Sequence, residues 1–244
     1  MILDYAHLYK RAEAARSDWA TMHPFPHVCF DDFLDTYAYV VAKINFPDPA
    51  SSIWKTPENA HTHAKSVTKR GAFDLKEMRY SDEARSLFYE FNSGAFLGFL
   101  ERLSGISGLL GDPYLAEGGF HCVRDAGYLD IHADFSHHDK TGLERRLNLI
   151  LYLNEGWKSE YGGALSLYDT DLRPCATFMP IANRCVIFET SETSYHGHPD
   201  PMKLPAGRCR ESIALYYYTM PTGRPRHKVI FPADPSFVHE VTKE

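Results

Sequence analysis

Hydrophobic and polar residues follow two different patterns along this chain, and the pattern changes near the midpoint. Residues 4–20 carry apolar positions at helical spacing, and from Ser81 to about Leu103 apolar residues recur every three or four positions. Both stretches predict amphipathic helices with one buried face. A shorter helix is predicted from a cap at Asp32 to about Ile44. The first half of the chain is therefore predicted to be mainly helical.

Beyond Gly108, short apolar or alternating runs are separated by Gly, Asn, Asp and Pro. The runs are 119–124, 128–132, 146–153, 164–168, 175–178, 184–188 and 211–219. Runs of this length and spacing are typical of strands in an antiparallel sandwich or barrel. Between the two halves, residues 45–80 are rich in Pro, Ser, Thr and His, which predicts a long irregular segment of the kind that forms a lid.

The length of 244 residues suits one β-rich domain with added helices. We therefore predict a single domain over 1–244, in which residues 1–110 supply helical support and a lid, 111–220 form the β core and 221–244 are a C-terminal extension. Hydrophobic residues make up 44% and charged residues 24% of the chain, so a sizeable core can be buried and disorder is not expected.

Charge and cysteine content narrow the class of protein. The net charge is −6 and no long run of Lys or Arg occurs, so nucleic acid is not an expected partner. The five cysteines are widely spaced without a C-x-x-C pair, which predicts free thiols in a reducing compartment. Because neither a signal peptide nor an apolar run of roughly 20 residues is found, we expect a cytoplasmic protein without a membrane partner. A homodimer is left open.

The β-rich half contains potential metal ligands. His132-Ala133-Asp134 sets an imidazole and a carboxylate two residues apart, on the same face of a strand or at its exit. A third ligand must come from elsewhere in the fold, and the candidates are His196 and His198. Two imidazoles and one carboxylate on Fe(II) leave three coordination positions, enough for a bidentate 2-oxoacid and dioxygen.

A 2-oxoacid with a second, distal carboxylate also needs a buried cation at its far end. A guanidinium fork suits that role by its geometry, and Arg208 and Arg210 both follow the histidines closely enough in sequence to supply it.

The order of these elements resembles a known signature. His132-x-Asp134, His196-Gly197 and Arg210-x-Ser212 are similar to the iron and co-substrate residues of the Fe(II)/2-oxoglutarate-dependent dioxygenase superfamily, in its prolyl-4-hydroxylase-like branch. The strand that ends in Tyr-Leu-Asn at 152–154 and the Gly-Gly-x-Leu turn at 162–165 match the same branch. The resemblance covers about residues 118–220.

The resemblance implies a mainly β fold with flanking helices, namely a double-stranded β-helix (a jelly-roll, cupin-like barrel) with N-terminal helices packed on it. It implies Fe(II), 2-oxoglutarate and dioxygen as cofactor and co-substrates. The implied iron ligands are His132, Asp134 and His196, and the implied 2-oxoglutarate residues are Tyr152, Arg210 and Ser212. Strand alternation puts Arg146, Asn148, Ile150 and Tyr152 on one face, so Asn148 is also expected to line the cavity.

The implied activity is hydroxylation of an unactivated C–H bond with release of succinate and CO2. Asp134 favours hydroxylation over halogenation, whereas desaturation and ring closure use the same ligands. A small polar metabolite, such as an amino acid or a natural-product intermediate, is the favoured substrate because residues 45–80 could close over a small ligand. Two alternatives remain, a prolyl-type hydroxylase of protein side chains and a non-catalytic cupin-like metal sensor.

Three further expectations concern single residues. His137 and His138 are interpreted as a solvated turn rather than as substrate contacts. The run Tyr216-Tyr217-Tyr218 is interpreted as ordinary strand packing. Replacing Asp134 with alanine is expected to abolish turnover while leaving the fold intact.

Overall fold

The computed structural model of the chain describes residues 1–51, 54, 64–70, 81–227 and 229–231. The remainder of the predicted lid and most of the predicted C-terminal extension lie outside the described residues, and the domain boundaries stay predictions. The five cysteines are free, as expected.

Helices dominate the first half of the described chain, as predicted. They are α1 (Tyr5–Trp19), α2 (Thr36–Ile44), α3 (Asp82–Phe91) and α4 (Gly94–Ser104). The predicted cap of α2 at Asp32 is wrong. Asp32 has a φ of +49°, outside the helical region, and the carboxylate of Asp35 instead accepts hydrogen bonds from the first backbone N–H groups of α2. Among the described residues, none of the helices combines the length and the apolar character needed to cross a bilayer.

The helix predicted over 81–103 is two helices. Ser81 caps α3 as expected, but the chain leaves the helix at Asn92, and the Ser93 hydroxyl accepts a hydrogen bond from the Phe96 backbone N–H to begin α4. A serine that can cap a new helix offers the backbone an alternative to continuation. The apolar stripe persists across the break, which is why its periodicity alone predicts one helix.

The strands form one antiparallel sheet that is nearly closed into a barrel, which confirms the predicted double-stranded β-helix with helices packed on it. Along the main path the order is β1-β7-β4-β9-β3-β8-β5-β6. The strands are β1 (His27–Phe30), β2 (Ala64–Arg70), β3 (Gly119–Ala133), β4 (Glu144–Tyr152), β5 (Leu165–Tyr168), β6 (Pro174–Phe178), β7 (Cys185–Glu189), β8 (Tyr195–His198), β9 (Arg210–Thr219) and β10 (Val229–Phe231).

β3 links the two halves of this sheet, with β9 on one side of it in the strand order and β8 on the other. The predicted runs 119–124 and 128–132 are the two parts of this single strand, and Ala126, with a φ of +57°, lies between them. The first part pairs with β9 and the second with β8. As a result, one strand carries residues at both ends of the barrel interior.

The residues of β4 divide between two environments. Leu147, Leu149 and Leu151 pack into the core beneath the helices, whereas Ile150 and Tyr152 belong to a separate cluster inside the barrel. This alternation follows the prediction for Asn148, Ile150 and Tyr152. The prediction that Arg146 shares this face is wrong, because a bulge between Arg145 and Leu147 inserts an extra residue opposite β9.

Residues 64–70, predicted to be irregular, form β2. This strand pairs with β3 on both sides of its bend, with Lys65 opposite Tyr128 and Thr68 opposite Cys122. β2 forms through tertiary contacts, because a long strand such as β3 offers unpaired backbone groups along its edge. β10 extends the same edge.

Candidate metal and oxoacid site

The structure brings the three predicted metal ligands together where β3 and β8 pair. His132 and His196 lie directly opposite each other in the register, and Asp134 follows the last residue of β3. Their ligand atoms all lie within 4.8 Å of one another. The Nε2 atoms of His132 and His196 are each 3.5 Å from a different oxygen of the Asp134 carboxylate. This arrangement can hold one metal ion between two imidazoles and a carboxylate.

Both imidazoles are oriented by the backbone. Nδ1 of His132 lies 2.8 Å from the carbonyl oxygen of Asp130, and Nδ1 of His196 lies 3.0 Å from that of Ser194. Because a carbonyl oxygen only accepts hydrogen bonds, each Nδ1 carries the proton and each Nε2 keeps its lone pair for a metal. Burial, with the neighbouring His132, lowers the pKa of His196 to about 4, so this ligand is neutral at physiological pH.

Two side chains hold the Asp134 carboxylate, one through an ion pair and one through a hydrogen bond. Nη1 of Arg145 lies 3.2 Å from Oδ1, and the side-chain amide of Asn148 donates to Oδ2. Burial would raise the pKa of Asp134, but Arg145 and the two histidines hold it well below its usual value. Side chains that contact a metal-binding carboxylate in this way fix its orientation. Asn148, predicted as a 2-oxoglutarate residue, thus contacts the metal end of the site.

Arg145 is the part of the site that the sequence alone did not identify. Its side chain is fully buried, and its guanidinium lies between the rings of Phe135 at 4.2 Å and Tyr216 at 3.5 Å. Burial would lower the pKa of Arg145, yet the charge of Asp134 raises it, so the pair stays ionised. The bulge at Arg146 turns Arg145 inward. The sequence shows only that Arg145 and Arg146 are adjacent basic residues, which does not indicate that one of them is buried at the site. Tyr216 therefore contacts Arg145 in addition to packing within its strand.

The second predicted element, a buried cation, lies where β9 begins. Arg210 is 5% exposed. Its Nε donates to the carbonyl oxygen of Gly163 at 2.8 Å, and its Nη2 donates to the Tyr152 hydroxyl at 3.1 Å. Gly163 has a φ of +72°, and a Cβ there would collide with Met202 and approach Arg210, so the Gly-Gly turn allows this contact. Ser212 is buried opposite Tyr152 in the register.

Arg208 does not share the environment of Arg210. It donates to the backbone carbonyl of Glu155, and its guanidinium lies over the rings of Trp157 and Tyr161 at 5.7 and 5.3 Å. Of the two arginines left open by the sequence, Arg210 is therefore the buried one next to Tyr152.

Other histidines have separate roles. His198 is not part of the ligand cluster within the described chain. The solvated-turn interpretation of His137 and His138 is wrong, because both are buried. Nδ1 of His138 accepts backbone N–H groups of its own turn, and its Nε2 lies 3.3 Å from Asp112. It stabilises the turn between β3 and β4.

A second group with metal-ligand atoms, namely His23, Asp169 and Cys175, occurs on the surface of the described structure. Its carboxylate is already engaged, since Asp169 accepts hydrogen bonds from two backbone N–H groups and from the side chain of Arg173. In the buried cluster, both imidazoles instead present unprotonated nitrogens to one carboxylate. The buried cluster is therefore the stronger metal site.

The donor set of the buried cluster fits Fe(II). Two imidazoles and one carboxylate suit a ferrous ion and leave three positions for other ligands. Farther along the barrel interior, Arg210 and Tyr152 supply a cation and a hydroxyl. Burial raises the pKa of Tyr152, which keeps the phenol protonated as a donor. A molecule with a chelating oxoacid at one end and a carboxylate at the other matches both ends.

Comparisons with known proteins agree with this chemistry. The family model described as "2OG-Fe(II) oxygenase superfamily" matches residues 118–218. A mouse protein, prolyl 3-hydroxylase OGFOD1, is 28% identical over 218 residues, which cover 85% of this chain. The chain spans 37% of the length of that relative.

Two solved structures have a similar fold. A prolyl-4-hydroxylase of Pseudomonas putida has a TM-score of 0.58 at 17% identity, over 85% of this chain and 98% of its own. A prolyl hydroxylase of Trichoplax adhaerens, in complex with a peptide of hypoxia inducible factor, has a TM-score of 0.64 at 16% identity, over 87% of this chain and 91% of its own.

The matched residues contain the metal cluster, Tyr152, Arg210 and Ser212, in the order read from the sequence. The predicted Fe(II), 2-oxoglutarate and dioxygen are confirmed as the cofactor and co-substrates of the family. The family match and the sequence relative together confirm the predicted resemblance of this chain to the 2OG-Fe(II) oxygenase superfamily, in its prolyl-hydroxylase-like branch.

Proposed function

We propose that this chain is an Fe(II)- and 2-oxoglutarate-dependent dioxygenase that hydroxylates a prolyl-type residue in a protein or peptide. The observation that carries the proposal is the pairing, within one barrel interior, of the buried His132–Asp134–His196 cluster with the buried Arg210–Tyr152 pair. A metal-binding module without turnover has no use for a second buried cation, so the complete set favours an enzyme.

In this proposal, His132, Asp134 and His196 hold the iron, while Arg210 and Tyr152 bind the distal carboxylate of 2-oxoglutarate and Ser212 lies beside them. Iron held there would supply the activation of dioxygen, in which one oxygen atom is used in the oxidative decarboxylation of 2-oxoglutarate to succinate and CO2 and the other is transferred to the substrate. The protein orients the reactants and excludes competing reactions. Arg145 keeps Asp134 ionised, and Asn148 donates a hydrogen bond to its Oδ2. Ile150 and Phe188 belong to an apolar cluster beside Tyr152.

The substrate class is where the proposal departs from the small metabolite favoured by the sequence. The mouse relative is named as a prolyl 3-hydroxylase, and the Trichoplax adhaerens structure contains a peptide. These names support the protein-substrate alternative better than the small-metabolite interpretation. The support rests mainly on the mouse relative, because structural likeness at 16% identity speaks to the fold alone.

The direct test measures both products. Purified protein would be incubated with Fe(II), 2-oxoglutarate and either proline-containing peptides or free proline and other amino acids. Peptide-dependent succinate release, with a gain of one oxygen atom on a prolyl residue by mass spectrometry, is the expected result. Turnover with free amino acids but not with peptides would support the small-metabolite interpretation. Binding of metal and 2-oxoglutarate with no succinate release under any condition would favour the non-catalytic sensor.

A matched pair of arginine variants tests the co-substrate site. Arg210→Met should weaken 2-oxoglutarate binding by at least about thirtyfold, because truncating one partner of a buried charge-assisted pair is costly. Arg208→Met, which alters a half-buried arginine of the same segment, should bind 2-oxoglutarate as the wild type does. Titration calorimetry on Mn(II)-loaded protein measures both. An equal loss in the two variants would contradict the role of Arg210.

A further inference from the structure

His198 lies on the inner face of β8, two residues beyond His196. Side chains two residues apart on a strand point to the same side, so His198 faces the barrel interior as His196 does. It is 5% exposed. Its register partner is Leu129 of β3.

The imidazole of His198 has an unused polar atom. Among the described residues, its Nδ1 is buried without a hydrogen-bond partner, whereas Nδ1 of His196 and Nδ1 of His132 each have a backbone carbonyl. A buried polar atom left unpaired is costly. Atoms of this kind in a native structure call for an explanation, and one explanation is a ligand.

The surroundings of His198 put it close to the Arg210 end of the interior. Its partner Leu129 packs in the same apolar cluster as Val123 and Met202. Val123 is the register partner of Arg210, and Met202 adjoins Gly163, whose carbonyl accepts from Arg210.

The spacing along β8 suits one molecule that contacts both ends of the site. Two residues of an antiparallel strand advance about 6.8 Å, which is comparable with the extended carbon chain of 2-oxoglutarate. If the chelating end of that molecule is bound at His196, its distal carboxylate is at the level of His198, beside Arg210. A neutral imidazole can donate one hydrogen bond there from Nδ1.

We propose that Nδ1 of His198 donates a hydrogen bond to the distal carboxylate of 2-oxoglutarate, alongside Arg210, and so contributes to selection of a dicarboxylic 2-oxoacid. This proposal rests on the proposed function, because it assumes that the barrel interior binds 2-oxoglutarate. It adds a co-substrate residue that the His-Gly and Arg-x-Ser elements do not contain.

The test pairs variants of His198 with two oxoacids. His198→Leu removes the donor, and His198→Asn keeps a side-chain N–H near the position of Nδ1. The ligands are 2-oxoglutarate and 2-oxopentanoate, which has the same number of carbon atoms but a methyl group in place of the distal carboxylate. Binding would be measured by titration calorimetry on Mn(II)-loaded protein, after unfolding curves establish that each variant is folded and Mn(II) titrations that it binds the metal.

His198→Leu should weaken 2-oxoglutarate binding about tenfold, as expected for a lost hydrogen bond to a charged group. The same variant should change 2-oxopentanoate binding by less than about twofold, and His198→Asn should recover most of the 2-oxoglutarate affinity. Equal losses for both oxoacids, or no loss for either, would overturn the proposal for His198. If the wild type itself fails to bind 2-oxoglutarate, the proposed function fails first, so the two failures are distinguishable.

Discussion

Replacing Asp134 with alanine should abolish metal binding and also destabilise the metal-free protein by about 3 kcal/mol. The sequence predicts loss of turnover with the fold intact, and so no loss of stability. The structure adds the loss of stability, because Arg145 is fully buried and forms an ion pair with Asp134 at 3.2 Å. Alanine would leave a guanidinium charge without compensation in the interior, which is among the most costly single changes in a protein.

The cost of Asp134→Ala can be separated from the loss of the metal ligand. In the double variant Asp134→Ala/Arg145→Leu, no unpaired charge remains, so the free energy of unfolding should recover most of the loss while metal binding stays absent. Unfolding of the metal-free proteins in denaturant measures the first quantity, and Mn(II) titration measures the second. The explanation would be refuted if Asp134→Ala had the unfolding free energy of the wild type, or if the double variant were less stable than Asp134→Ala. Either result would mean that Arg145 does not need Asp134 as a charge partner.

The chemistry of this site could be predicted from the sequence because its elements are short and local. A histidine and an aspartate two residues apart share a strand face. The remaining ligand and the cation were then implied by the resemblance of His196-Gly197 and Arg210-x-Ser212 to the family signature. None of these inferences needs the register of the barrel. The alternation that turned Asn148 and Tyr152 inward also depends only on the pleat of one strand.

What the sequence did not predict depends on contacts between distant segments. The bulge at Arg146 brings Arg145 to Asp134, and its extra residue is visible only against the pairing of β4 with β9. The strand at 64–70 forms because β3 offers it an edge. His138 is buried against Asp112, which is 26 residues away in sequence and whose Oδ1 lies 3.3 Å from the Nε2 of His138. Local pattern carries no information about such partners.

Gly197→Ala should disrupt the metal centre without altering any ligand. A Cβ atom at position 197 would lie 2.7 Å from the carbonyl oxygen of Asp130 and 2.9 Å from that of Leu129. Both are backbone atoms and cannot swing aside. The Asp130 carbonyl is also the acceptor that orients His132, so displacement of it would turn one ligand and separate β8, which carries His196, from β3.

We expect Gly197→Ala to lower the free energy of unfolding by about 2 kcal/mol, as overpacking against fixed backbone does. Metal affinity should fall tenfold or more, which is about the effect of losing an outer-shell partner of a ligand. Gly94→Ala is the matched control, because position 94 begins α4 and a Cβ there meets no atom within 4 Å. Its unfolding free energy should stay the same or rise. Wild-type Mn(II) affinity in Gly197→Ala would mean that the close approach of β3 and β8 does not fix the ligands, and that the glycine serves the sheet alone.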